Sequence, residues 1–177
     1  MSLLKLHRFG SAVLRQRAKE VAAVDDGVRA LIDDMFETMD AAKGIGLAAN
    51  QVGLALRVAV IGAGDRRFAL VNPRIVESAG RATQEEGCLS LPDLYAEVTR
   101  PERIVVEALD RDGQPLRVEA DGIVARCIQH EIDHLDGILF VDHIGPLKRQ
   151  MVLKRYRKEH AGEPVVTDVT PEESRTG

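Results

Sequence analysis

The pentad His130-Glu131-Ile132-Asp133-His134 constrains this 177-residue chain more than any other stretch. On an α-helix, residues four apart lie one above the other on the same face. Both imidazoles can then reach one metal ion, with Glu131 one residue away to handle a water molecule. The pattern points to hydrolase chemistry of the zinc type. The flanks predict a helix over 121–135: Asp121 can cap it, Ile123, Val124, Cys127, Ile128 and Leu135 are its apolar positions, and Gly137 lies beyond its end. Away from the motif this helix is apolar, so it should lie inside the fold, where two histidines and a carboxylate need partners. A catalytic site of this kind takes a third protein ligand and keeps a position open for water. Cys88, Asp133, Asp136, His143 and His7 all have the chemistry for it, and Cys127 reads as core.

The rest of the chain predicts an α+β fold, with antiparallel sheets around the central motif helix, an N-terminal core helix and a C-terminal helix. Residues 3–20 read as an irregular lead-in. Asp25 or Asp26 can start a helix over 26–42, with Val28, Leu31, Ile32, Met35, Phe36 and Met39 on its buried side. Gly44-Ile45-Gly46-Leu47-Ala48-Ala49-Asn50-Gln51-Val52-Gly53 is small and uncharged, and reads as a tight loop or as a wall whose backbone faces a ligand. It has no Gly-Lys-Ser/Thr ending, so it is not a phosphate loop. Gln51 is its one polar side chain with reach, and a Gln amide can donate to a developing oxyanion. Short strands follow over 57–61, 68–71 and 74–78, with Asn72-Pro73 between the last two. Pro92-Asp93 should break the segment that begins at Arg81. Strands at 104–109 and 116–119 flank a hairpin turn at Asp110–Gly113. Residues 138–144 suggest a short strand or turn, and Pro146 should open a last helix over 147–160. That helix carries Lys148, Arg149, Lys154, Arg155, Arg157 and Lys158, which read first as a solvated face. Residues 1–160 are expected to form one domain and 161–177, with their Glu, Pro and Gly, a disordered tail.

Composition narrows the setting. Aromatics make up only 3% of the chain, with no Trp, so the core must be aliphatic. A net charge of -4 argues against a dedicated nucleic-acid binder. Two cysteines are too few for a disulfide scaffold. The N-terminus lacks the apolar run of a signal peptide, and no stretch approaches the ~18 apolar residues of a membrane span. A reducing cytoplasm, without disulfides or membrane insertion, is the expectation.

Three segments together resemble one family. Gly44–Gln51, Glu86-Gly87-Cys88-Leu89-Ser90 and Gln129-His130-Glu131-Ile132-Asp133-His134 are similar, in this order and spacing, to the three motifs of peptide deformylase. The resemblance spans residues 3–160 and implies Cys88, His130 and His134 as metal ligands. It implies Fe²⁺ as the usual ion, with zinc, nickel or cobalt as substitutes, and formyl-methionyl nascent peptides as substrate. Glu131 is then the general base and acid, and the Gln51 amide and Leu89 N–H the oxyanion donors. Ile45, Cys127 and Ile128 would line or back a methionine pocket, and the edges at Gly46 and Gly87 would pair with the peptide backbone. Many relatives carry an apolar residue at position 126, so the stem of Arg126 is expected along the pocket with its guanidinium in solvent. Leu94 and Tyr95 stand where some members carry a basic residue. The resemblance also makes ribosome docking an expectation for the basic last helix. Two other readings have distinguishing marks. A general HExxH peptidase would use Glu, Asp or His as third ligand, and a structural site would close with a fourth protein ligand.

Overall fold

Val28, Leu31, Ile32, Met35, Phe36 and Met39 line one side of a helix, Asp26–Ala41 (α1), in the computed structural model, which describes residues 2–169. The Asp25 carboxylate accepts from the Val28 N–H at 2.9 Å and satisfies a donor that the helix start leaves open. Before α1 the lead-in holds a two-residue strand, Leu6–His7 (β1), and a 3-10 turn at Ala12–Arg15. Asn72 anchors it by accepting from Val21 N–H and donating to Val21 O.

The stretch after Gly44 becomes a buried strand, Gly46–Ala48 (β2), and a 3-10 turn, Ala49–Val52. Val58–Ala63 (β3) and Arg66–Ala79 (β4) follow, then Ala82–Cys88 (β5), Leu91–Arg100 (β6), Arg103–Leu109 (β7) and Pro115–Asp121 (β8). The strands β2-β3-β4-β7-β8 form one antiparallel sheet, and β5-β6 a separate hairpin. Two expected breaks are bulges instead. Asn72-Pro73 sits inside β4, where the register to β7 slips between Val71 and Arg74, a place where a missing N–H is tolerated. Pro92-Asp93 lies inside β6, where Gly87 pairs with Tyr95 but Cys88 pairs with Leu91. Residues 92–94 therefore bow out, with Asp93 at φ 66.

The motif helix is Gly122–Leu135 (α2). Its end is a Schellman turn: Ile138 N–H donates to Asp133 O at 2.9 Å and Gly137 N–H to His134 O at 3.0 Å, with Gly137 at φ 75. Arg57 completes it, donating to Leu135 O and the Asp136 carboxylate, a cation at the negative end of the helix. Alternation along the sheet gives each helix its own face. Ile61, Leu70, Ile104, Val106 and Val118 pack on α2, while Val58, Val60, Ala69 and Val71 pack on α1. A third apolar cluster joins β6 to Leu139, Val141 and Ile144 in and beside a 3-10 turn, Phe140–His143, and to Leu153 and Tyr156 of the last helix, Pro146–Glu159 (α3).

The expected disordered tail needs correction over its first part. Val166–Thr167 (β9) pairs with β1, Arg8 N–H donates to Val165 O, and Val169 packs on the α1 cluster. Val169 supplies an apolar anchor that composition alone obscures among the Glu and Pro. Residues 170–177 lie outside the described residues. Among the described residues no helix is long and apolar enough to cross a membrane.

Candidate metal centre and its cleft

Two elements bring the reactive side chains together. Helix α2 carries His130, Glu131 and His134, and β5 ends at Cys88. The bulge at the Gly87/Cys88 step redirects Cys88, as bulges beside sites commonly do. Cys88 Sγ lies 3.3 Å from His134 Nε2, and one donor atom each from Cys88, His130 and His134 fall within 4.8 Å of one another. A thiolate and an imidazole nitrogen bound to one tetrahedral ion sit about 3.5 Å apart, so the separation suits a shared metal. The other candidate ligands are engaged elsewhere. Asp133 meets Arg100 and His143, Asp136 meets Arg57, and His7 Nδ1 meets Ser11 Oγ.

The two histidines differ in protonation. Burial, and after it the charges of His130 and Arg100, push the His134 imidazole well below its ordinary range, so it is a neutral lone-pair donor. His130 Nδ1 is 3.0 Å from Glu86 Oε1. A carboxylate only accepts, so Nδ1 holds a proton toward Glu86; against the cost of burial, hydrogen bonds to Cys88 and Glu86 raise the His130 pKa well above its ordinary range, so Nε2 must give up its proton to ligate an ion. Glu86 is buried, which alone would raise its pKa, yet hydrogen bonds from His130 and Arg100 hold it well below the carboxylate range. One thiol and two imidazoles make a borderline donor set that accepts iron, zinc, cobalt or nickel.

Glu131 is 4% exposed, and burial pushes its carboxyl up to about 7. Its Oε1 has no hydrogen-bond partner among the described residues. Gly46 lets it fit: a Cβ there would stand 2.6 Å from Glu131 Oε2 and 2.7 Å from Cys127 Sγ. Gln51 is buried with its amide orientation set on both sides. Its Oε1 accepts from Ala48 N–H at 3.0 Å and its Nε2 donates to Ser90 Oγ at 3.1 Å, 3.7 Å from Cys88 Sγ. Ser90 Oγ in turn donates to His7 O at 2.7 Å, which ties β1 to the site.

These groups open on a cleft of about 690 Å³. Ile45, Gly46, Gly87, Leu89 and Cys127 line it, with Tyr95 and Ile123 exposed beside it and Thr167–Val169 along another border. Tyr95 lies across Gly87, where a Cβ would stand 2.6 Å from its ring. Cys127 donates its thiol to Ile45 O at 3.1 Å.

Ile128 stands behind the cleft, and for Arg126 the expectation is corrected. Ile128 does not line the cleft; it is fully buried beside Cys127 in the cluster between α2 and the sheet, behind the lining residues. The Arg126 guanidinium does not reach solvent. It is buried against Glu86 at 2.5 Å, Val98 O and Ala82 O, where a carboxylate and two carbonyls compensate its charge. The buried network that joins Glu86 to Arg100, Arg126 and His130 is what sequence reasoning missed. Two periodicities carry their signal. Arg126, His130 and His134 follow one another at i, i+4, i+8 on one helix face, and Arg100 falls in step with buried Leu94, Ala96 and Val98 along β6.

The sequence model of the polypeptide deformylase family matches residues 3–150. A peptide deformylase of Chromohalobacter salexigens is 50% identical over 164 residues, covering 90% of this chain and 96% of that protein. One of Brucella suis is 51% identical, covering 89% and 94%. Among solved structures, the peptide deformylase of Ehrlichia chaffeensis in complex with actinonin superposes with a TM-score of 0.87 at 37% identity, covering 91% of this chain and 99% of that one.

Proposed function

This chain belongs to the polypeptide deformylase family, and from that premise we propose that Cys88, His130 and His134 hold its metal while Glu131, Gln51 and Leu89 carry the chemistry. The reaction is removal of the formyl group from the N-terminal formyl-methionine of nascent polypeptides. When bound, a divalent ion lowers the pKa of water and polarises a carbonyl oxygen. Glu131 takes the proton of the attacking water as oxygen bonds to the formyl carbon. The buried position of Oε1 without a protein partner suits that role, since a buried carboxylate oxygen needs a donor. The Gln51 Nε2–H, its orientation fixed from Ala48, and the Leu89 N–H stabilise the oxyanion. As the carbon–nitrogen bond breaks, Glu131 returns the proton to the leaving amine, and formate and a free N-terminus result.

Ile45, Gly46, Gly87 and Cys127 form the substrate side of the site, with Ile128 behind it. The ion is Fe²⁺ in this reading, with zinc, nickel or cobalt as substitutes. The setting is the cytoplasm, where formylated chains emerge. The exposed cations of α3, Lys154, Arg155 and Lys158 among them, favour docking on the ribosome. Reversing the charge at Arg155 and Lys158 should then reduce cosedimentation with ribosomes, and unchanged cosedimentation would remove that part.

The observation that carries the reading is the convergence of one thiol and two imidazoles beside the unpartnered Glu131 oxygen. Its test is formate release from formyl-Met-Ala-Ser by the Fe²⁺ form prepared without oxygen. Release that survives Cys88→Ser with unchanged metal affinity would remove Cys88 from the ligand set.

A further inference from the structure

The three converging donors come from two elements, Cys88 from the β5-β6 hairpin and His130 and His134 from α2. Arg126 bridges these two elements from within the fold. Standing on α2 one turn before His130 and only 7% exposed, it donates from Nη1 to Glu86 Oε2 at 2.5 Å and to Val98 O at 2.9 Å. Its Nη2 donates to Ala82 O at 2.9 Å. Those acceptors lie on both strands of the hairpin that ends in Cys88. Glu86 is the shared node. Its Oε1 accepts from Arg100 Nη2 and His130 Nδ1, and its Oε2 from Arg100 Nε and Arg126 Nη1. Four donors fill the roughly four acceptor sites of a carboxylate, so it has no other orientation to adopt. Arg100 ties the same parts from the opposite side, reaching Asp133 on α2 at 2.8 Å. Two guanidinium ions thus face two carboxylates, Glu86 and Asp133.

We propose that Arg126 is a positioning residue for the metal centre. It holds the Cys88 hairpin against α2 and completes the shell of the carboxylate that orients His130. The proposal rests on Cys88, His130 and His134 being the ligands. Without Arg126, Glu86 is one donor short and two strand carbonyls lose their partner, so the hairpin and the helix can drift apart. Partners that orient metal ligands typically carry about 10–100-fold in metal affinity.

The test is metal release from the Co²⁺-loaded protein to excess chelator, followed by the thiolate-to-cobalt absorption band below the unfolding temperature of every variant. Arg126→Met should release metal at least about 10-fold faster than the parent chain. Arg126→Lys keeps the charge but cannot bond three acceptors at once, and should fall between the two. Ile104→Ala, a core change under α2, lowers stability without touching the network and should leave release unchanged. Should Arg126→Met fail to fold, Arg126→Lys against Ile104→Ala carries the comparison. Release within twofold of the parent chain in the Arg126 variants, or equally fast release from Ile104→Ala, overturns the proposal. A parent Co²⁺ form whose band is absent, or persists in Cys88→Ser, overturns the ligand assignment and this inference with it.

Discussion

A methyl group at position 46 would meet Glu131 Oε2 and Cys127 Sγ at under 3 Å, so a single glycine keeps the carboxylate where it stands. Gly46→Ala should displace Glu131 by a fraction of an ångström to an ångström and lower formate release about 10²-fold, the scale of such a misplacement. Glu131→Ala removes the proton carrier but no metal donor. It should retain metal, by elemental analysis, while formate release falls to near background; retained turnover would sink the assigned role. Gln51→Ala should lower kcat by about 10²–10³, as the loss of one oxyanion donor does. A change confined to KM would make Gln51 a substrate contact instead.

At the scale of elements, the site depends on where α2 stops and where β5 bends. Gly137 ends α2 at φ 75, and a Cβ there would lie 2.7 Å from Arg15 O, a backbone atom that cannot move aside cheaply. Gly137→Ala should therefore destabilise by more than about 1 kcal/mol in urea unfolding, because both the left-handed torsion and the contact oppose it. No cost would mean that the turn tolerates another geometry. The end of α2 was legible at Gly137, since a Schellman turn is a local property of the chain, and the helix starts after Asp121 as expected, although the Asp121 side chain makes no capping hydrogen bond. The bulges of β4 and β6 were not. Pro73 and Pro92 signal a break in any isolated strand, and only the partner strands, β7 for one and β5 for the other, carry the pairing past them.

For the whole molecule, an ion held by Cys88, His130 and His134 as proposed would bridge the β5-β6 hairpin and α2 and so couple metal binding to folding. Stripping the ion should lower the melting temperature, and the stabilisation should grow with free metal by about 2.7 kcal/mol at 100 times Kd. A melting curve indifferent to chelator would deny that the site bridges the two parts. From the sequence, helical period places His130 and His134 together, and three short motifs carry the resemblance to peptide deformylase that the family model bears out. Local patterns also located α1, α2 and α3, because capping and apolar spacing act within a few residues. Tertiary structure decided the fates of Ile128 and Arg126, and it paired Val166–Thr167 with β1. The physical reason is common to all three. Whether an arginine ends in water or on a buried carboxylate, or a tail pairs or drifts, depends on acceptors and apolar surface contributed by residues far along the chain, such as Glu86 on β5 for Arg126 and β1 for β9.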